Sequence, residues 1–160
     1  MPRPKPTVSL VPVAETDFEQ LADLRVAAMH ESLERLGRFD PERARERLRN
    51  SFSPEHTRFI FHEDEVVGFC AARPTADGLQ LDHLYVHPDH QNRGIGAVVL
   101  SEILEEADRA GQSVRVGALR DSPSNRFYQR YGFVKTHETA WDICYIRLHR
   151  STPGQSYPDP

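Results

Sequence analysis

Residues Gln91-Asn92-Arg93-Gly94-Ile95-Gly96 set one arginine and two glycines where a strand-like run gives way to a helix-like one. Glycine permits a sharp turn and lets a ligand approach the main chain closely. The unpaired N–H groups and positive dipole end of a helix start bind phosphate or pyrophosphate. Arg93 adds a formal positive charge, and Gln91 adds a neutral donor at the loop entrance. From these residues alone, two readings stay open: an anion site, or glycines that only tighten the turn. Two rival phosphate loops are excluded. No Gly-Lys-Ser/Thr ending is present, as a Walker loop requires. The third glycine of a dinucleotide fingerprint would fall on Val99.

The other residues with chemistry form no known constellation. His83, His87 and His90 invite a metal reading, but His83 and His87 lie on one strand. Residues four apart on a strand are separated by roughly 13 Å, too far for ligand distances of about 2 Å. No metal site is expected. Cys70 and Cys144 are far apart, outside any C-x-x-C pair and within apolar runs. Both read as buried reduced thiols.

These side chains need a scaffold, and its elements are legible in the periodicity. Thr7 to Val13 reads as a short strand ending at or before Pro12. Thr16, with Glu19 three residues on, reads as the capping box of a helix. Leu21, Leu24 and Ala28 form that helix's apolar stripe, and Gly37 stops it. Asp40-Pro41 opens a second, highly charged helix to about Asn50. Arg43, Arg45, Arg47 and Arg49 read as its solvated face. Thr57–His62 and Val66–Ala72 form a hairpin, and Leu79 to His87 follows a turn at Asp77-Gly78. On that last strand Leu79, Leu81, His83 and Tyr85 share one parity, and Gln80, Asp82, Leu84 and Val86 the other. Gly94 to Arg109 reads as an amphipathic helix closed by Gly111. Ser113–Leu119 is a strand. Ser122-Pro123 caps a short helix to about Tyr131, and the strands Phe133–Glu138 and Trp141–Leu148 follow. Hairpins followed by strand–helix–strand crossovers predict an α+β (α/β mixed sheet) fold with helices on both sides.

The chain has 160 residues, which suits one domain over residues 1–150. Residues 1–6 hold three prolines and read as an extended lead-in. Residues 151–160 hold three prolines and a glycine and read as a disordered tail. Hydrophobic residues are 38% and charged residues 28%, with a formal charge of −4. That balance argues against a nucleic-acid or anionic-membrane partner. No apolar stretch approaches the ~20 residues that span a bilayer. No apolar run follows the N-terminal Met1-Pro2-Arg3-Pro4-Lys5-Pro6, so a secretory signal is not expected. The expected compartment is the cytoplasm.

The stretch Leu81-Asp82-His83-Leu84-Tyr85-Val86-His87-Pro88, followed by Gln91 to Gly96, resembles the central motif of the GCN5-related N-acetyltransferase (GNAT) superfamily. That motif's loop reads Gln/Arg-x-x-Gly-x-Gly/Ala. Asn125, Tyr128 and Tyr131-Gly132-Phe133 resemble its second motif, in the family's order and with similar spacing. The resemblance covers roughly residues 7 to 148. It implies a central mixed sheet of about seven strands flanked by about four helices. It implies acetyl-CoA as donor and co-substrate, an amine acceptor, and no metal. The backbone N–H groups of Asn92, Arg93, Gly94, Ile95, Gly96 and Ala97 would hold the pyrophosphate. The backbone of Leu84, Tyr85 and Val86 would pair with the pantetheine arm, and Asn125 would hydrogen-bond it. Tyr128 would protonate the departing thiolate. Transfer would be direct, in a ternary complex, so no acyl-enzyme nucleophile is needed. A homodimer is an assembly the sequence leaves open.

The general base departs from the family pattern. Histone-type relatives carry a glutamate six residues before the position of Val86, where this chain has Gln80, which cannot titrate. Asp82 is the candidate in its place, acting directly or through water. It reads equally as a half-buried acid bonded to its neighbours. Tyr128 likewise admits a packing role beside Phe127 and Tyr131. Met29, His30, Leu33, Arg38-Phe39 and Trp141-Asp142 are candidate walls for the acceptor. Two functions follow: an N-acetyltransferase acting on a primary amine of a small molecule or peptide, or a non-catalytic acyl-CoA-binding sensor or scaffold, cued by Gln80.

Overall fold

The computed structural model describes residues 5–150. Residues 1–4 of the expected lead-in and the expected tail over residues 151–160 lie outside them. Seven strands are present: β1 (Val8–Pro12), β2 (Thr57–His62), β3 (Glu65–Thr75), β4 (Gly78–Val86), β5 (Ser113–Leu119), β6 (Val134–Glu138) and β7 (Asp142–Arg147). Four α-helices connect them: α1 (Phe18–Arg35), α2 (Pro41–Ser51), α3 (Ile95–Arg109) and α4 (Ser124–Arg130). The strands form one mixed sheet in the order β1-β2-β3-β4-β5-β7-β6. No helix among the described residues is long and apolar enough to cross a membrane. The chain divides into two compact units. One comprises the residues up to Ala72 with Asp82–Val99, and the other Arg73–Leu81 with the residues from Leu100 onward.

In the first unit, Phe18, Leu21, Ala22 and Leu24 of α1 pack with Leu48 of α2 and with Phe59 and Phe69 of β2 and β3. Each buried Leu or Phe among them contributes about 1.5–3 kcal/mol. The capping differs from the sequence expectation. A 3₁₀ turn at Glu15–Asp17 precedes α1, and the Asp17 carboxylate accepts the Ala14 N–H at 2.8 Å. Thr16 is therefore not the cap, and Glu19 ion-pairs with Arg45 instead of closing a capping box. Asp40 caps α2 as expected, accepting the Arg43 N–H at 3.2 Å. The arginines of α2 are not merely solvated. Arg49 ion-pairs with Glu15 at 2.8 Å, and its guanidinium lies 4.2 Å from the centre of the Phe18 ring.

Strand β3 is longer than expected and carries an irregularity that matters for β4. Ile60 faces Gly68 but Phe61 faces Val66, so the register slips by one at Val67. The Val67 carbonyl accepts the His87 N–H at 2.8 Å. Beside it, a Cβ on Gly68 would overlap the carbonyl oxygen of Tyr85. The end of β4 therefore lies on β3 at a distance that only glycine allows.

A polar chain, buried at its Arg25 end, ties α1, α2 and β4 together. Arg25 donates to the Ala44 carbonyl through a guanidinium N–H and to the Tyr85 hydroxyl through Nε, at 3.4 Å. The Tyr85 hydroxyl meets His83 Nδ1 at 3.4 Å, and His83 Nε2 meets the Ser51 hydroxyl at 3.3 Å. Burial, reinforced by the Arg25 charge, holds the His83 imidazole down to about 3. It is neutral at physiological pH.

In the second unit, β5 alternates, with Val114, Val116 and Ala118 buried. It pairs antiparallel with β7 from Val114–Arg147 to Leu119–Asp142. Its parallel ladder with β4 runs from Gly78–Ser113 to Leu81–Val116. Ser122 is not the cap of α4. Pro123 occupies that position without a side-chain bond, and the helix begins at Ser124. Cys144 is only half-buried, unlike Cys70, and burial pushes its thiol up. Arg147 is buried and makes a two-pronged ion pair with Asp108, at 2.9 and 3.1 Å.

Two outcomes follow. Gly68→Ala loses about 1–3 kcal/mol, the usual range for overpacking, because backbone rather than a movable side chain opposes the methyl. Urea denaturation measures this, and an unchanged midpoint would remove the close-approach constraint. His83 binds a proton more readily unfolded than folded. Stability therefore falls as pH drops from about 6.5 toward 3, by up to ~1.4 kcal/mol per pH unit. His83→Gln flattens that slope in denaturation curves taken between pH 7.5 and 4.5. A variant slope equal to wild type would show that His83 is not the group responsible.

Candidate functional site

The first unit carries the loop. After β4, Pro88–His90 form a 3₁₀ turn whose His87 Nδ1 accepts the Asp89 N–H at 3.1 Å. Gln91 is exposed, and its amide donates to the Val86 carbonyl at 2.8 Å. It thus holds the strand end in place from the loop side, a structural bond beside the donor role expected of it. Asn92 and Gly94 both have positive φ, +64° and +83°. Asparagine tolerates that region better than most residues, and glycine without penalty. A Cβ on Gly94 would meet only the Pro6 ring, at 3.6 Å, so the demand there is conformational rather than steric.

Helix α3 begins at Ile95, one residue later than expected. The Val98 N–H donates to the Gly94 carbonyl at 3.1 Å and opens the ladder. The amides of Ile95, Gly96 and Ala97 precede it and have no helical acceptor. No acid lies in the first turn. Ile95 and Val99 are buried and anchor the turn from below, while Arg93 is exposed at its rim. The arrangement suits an anion, since amide dipoles converge where no carboxylate competes.

Upstream of the loop, Asp82, Leu84, Tyr85 and Val86 are all half-buried. Sequence reasoning expected only backbone from Tyr85. Its ring also packs on Phe69, with centroids 5.3 Å apart, and its hydroxyl joins the Arg25–His83 chain. Of the candidate acceptor walls in this unit, His30 stacks on Phe39 at 4.0 Å, and its Nε2 lies 2.9 Å from the Glu34 carboxylate. Met29 and Leu33 are half-buried.

The second unit carries the other motif. Asn125 donates through Nδ2 to the carbonyls of Leu119 and Ser122, both at 3.0 Å. Its Oδ1 accepts the Tyr145 hydroxyl at 2.7 Å. Burial pushes the Tyr145 phenol up, so it stays a donor. Tyr128, three residues on, is 6% exposed. Its ring packs edge-on to Phe127 and Phe133, each at 5.4 Å. Its carbonyl accepts the N–H groups of Tyr131 and Phe133. Trp141 is exposed, and its carbonyl accepts the Arg120 N–H at 2.8 Å.

Sequence reasoning missed Arg25, and it missed His83 as a member of a polar chain rather than a metal ligand. The signal was present. Arg25 sits four residues after Leu21 and three before Ala28, so it interrupts the apolar stripe of α1 with a charge.

A family model for the acetyltransferase (GNAT) domain matches residues 54–135. Mycothiol acetyltransferase of Amycolatopsis mediterranei is 35% identical over 101 residues, 61% of this chain and 31% of that protein. The L-amino acid N-acyltransferase MnaT of Escherichia coli is 40% identical over 55 residues, 33% of this chain and 32% of that protein. The chain thus spans about a third of the length of these relatives. The crystal structure of the PaiA N-acetyltransferase from Thermoplasma acidophilum, in complex with coenzyme A, superposes with a TM-score of 0.73. It is 18% identical and covers 89% of this chain and 99% of its own, so it bears on the fold alone. The family match takes in β4, the two left-handed loop residues, α3 and α4, and on that ground the chain belongs to the GNAT acetyltransferase family.

Proposed function

We propose that this protein transfers an acetyl group from acetyl-CoA to a primary amine of a small molecule or peptide, by direct attack in a ternary complex. One observation carries the reading. A strand end, two left-handed loop residues and three amides without helical acceptors follow one another, with no acid in the helix's first turn. In this proposal the amides of Asn92 to Ala97 bind the pyrophosphate of the donor. The donor's arm pairs with the backbone of Leu84, Tyr85 and Val86, as the likeness of this stretch to the family's central motif implies. Residues 1–150 would act as one domain with residues 151–160 as its tail, in the cytoplasm.

The chemistry requires few groups. An amine must lose its proton to attack a thioester, and Asp82 is the candidate to receive it, directly or through water. The tetrahedral oxyanion needs a donor, and the backbone N–H near Val86 supplies one. The departing thiolate, with a pKa near 8.5 in model thiols, takes a proton from Tyr128. Asn125 would meet the cofactor arm in the family pattern. Its bonds to Leu119, Ser122 and Tyr145 support a positioning role for it, fixing the start of α4 and so the placement of Tyr128.

The alternative, a CoA-binding module without turnover, rests on Gln80 at the position of the family's glutamate. A free-thiol assay with acetyl-CoA and a panel of amines separates the two. Transfer gives CoA release that depends on the amine. Measurable CoA binding with no release from any amine would establish the binding module instead. Tyr128→Phe lowers turnover about 10²-fold, as for loss of a general acid, with a smaller change in CoA affinity. Unchanged turnover would remove its acid role.

A further inference from the structure

Arg25 is 7% exposed and is the last fully buried residue of α1. Its hydrogen-bond partners are neutral: the Ala44 carbonyl and the Tyr85 hydroxyl. No carboxylate ion-pairs with it among the described residues. The acids of α1 and its leading turn are engaged elsewhere or face solvent: Glu15 meets Arg49, Glu19 Arg45, Glu31 Arg35 and Glu34 His30, Asp17 accepts the Ala14 N–H, and Asp23 is exposed. Asp40 caps α2. A cation withdrawn from water without an anion is costly, and proteins normally pair such charges. A guanidinium carries five N–H donors, and two neutral acceptors leave much of that capacity unused.

The ground beside Arg25 is only partly covered. Ala28 and Met29, three and four residues on and so on the same helix face, are half-buried. His83 is also half-buried, and Ser51 at the far end of the polar chain is exposed. His83 is neutral and brings no second positive charge. The cluster therefore carries one fixed cation at the boundary between a packed core and partly open side chains.

We propose that Arg25 is the counter-ion for a carboxylate of the acceptor, so that the acceptor is an α-amino acid or a similar amine with a carboxylate beside its amino group. A single planar guanidinium fork matches a monoanionic carboxylate. A phosphate dianion would leave one negative charge uncompensated. Tyr85 links this anchor to the segment proposed for the donor arm. Its hydroxyl bonds to Arg25, and its backbone lies in the segment assigned to the thioester arm. The inference rests on the acetyltransferase reading for the identity of the bound molecule as acceptor.

The test uses matched pairs: methionine against 3-(methylthio)propylamine, and phenylalanine against phenethylamine. CoA release is measured for each, and binding to the CoA-loaded protein is measured by calorimetry. Wild type favours the amino acids in kcat/KM by about 10²-fold, the scale for a desolvated charge pair. Arg25→Met collapses that ratio through KM, and Arg25→Lys restores part of it. Should the Met variant fail to fold, the wild-type ratio still decides. Equal use of amines with and without the carboxylate overturns the anchor and leaves the transferase standing. Amino-acid binding without turnover of any amine, lost in Arg25→Lys or Arg25→Met, upholds the anchor and overturns the transferase. Neither binding nor turnover of amino acids overturns the anchor.

Discussion

The carbonyl of Tyr85 occupies the space that a side chain at position 68 would need. That close approach sets where β4 ends, and the rest of the loop is built outward from it. The His87 N–H closes onto the Val67 carbonyl from one side, and the Gln91 side chain caps the Val86 carbonyl from the other. With both bonds made, the chain leaves the sheet at a fixed point and in a fixed direction. Between the held strand end and the first turn of α3 the chain makes the Pro88–His90 turn and then takes positive φ at Asn92 and Gly94. The slip at Val67 and the missing side chain at Gly68 are thus the remote cause of an amide cluster much later in the chain, at Ile95 to Ala97.

Two different demands meet in that short connection. The left-handed conformation costs an ordinary L-residue about 1–2 kcal/mol. Gly94 avoids the cost, and asparagine at position 92 is enriched in that region. The opposing demand is burial. Ile95 is 1% exposed and Val99 is fully buried, so the first turn of α3 is fastened by apolar contacts worth about 1.5–3 kcal/mol each. Packing exceeds the strain, and the amides are held rigid before any ligand arrives. In the proposed anion site such a preorganised donor cluster would lose little entropy on binding, so the residue types beneath the loop would matter as much as the glycines within it.

Element types were legible because periodicity reports which side of an element is buried. The alternation of β5 and the stripe of α1 appear in the sequence as they appear in the fold. Caps were less legible. Thr16 and Ser122 have suitable chemistry, yet Asp17 and Pro123 hold the positions, because the cap is decided by where the backbone first turns helical. Arg25 was hidden by the rule that finds helices. A charged residue on an apolar stripe reads as noise until a partner is seen, and its partners Ala44 and Tyr85 lie 19 and 60 residues away. The bonds of Asn125 were hidden for the same reason, since Tyr145 is 20 residues distant. Spacing identifies a motif residue, whereas only the fold reveals what that residue already holds.

Asn125 shows what such a bond network contributes. Helix α4 has seven residues, well short of the ~12–15 that an isolated helix needs for marginal stability. It persists because both ends are tied. At its start Asn125 bridges the Leu119 and Ser122 carbonyls to the Tyr145 hydroxyl. At its end the Tyr128 carbonyl accepts two amides from the turn into β6. Between these ties the Tyr128 ring is clamped by Phe127 and Phe133. The Tyr145 phenol, raised by burial, stays protonated, so its donation to Asn125 persists through the neutral range. A phenol on a short helix would otherwise sample many positions, and in the proposed reaction the donor must sit within about 3 Å of its target to act. The asparagine is therefore best understood as fixing the tyrosine, one helical turn away, through the backbone they share.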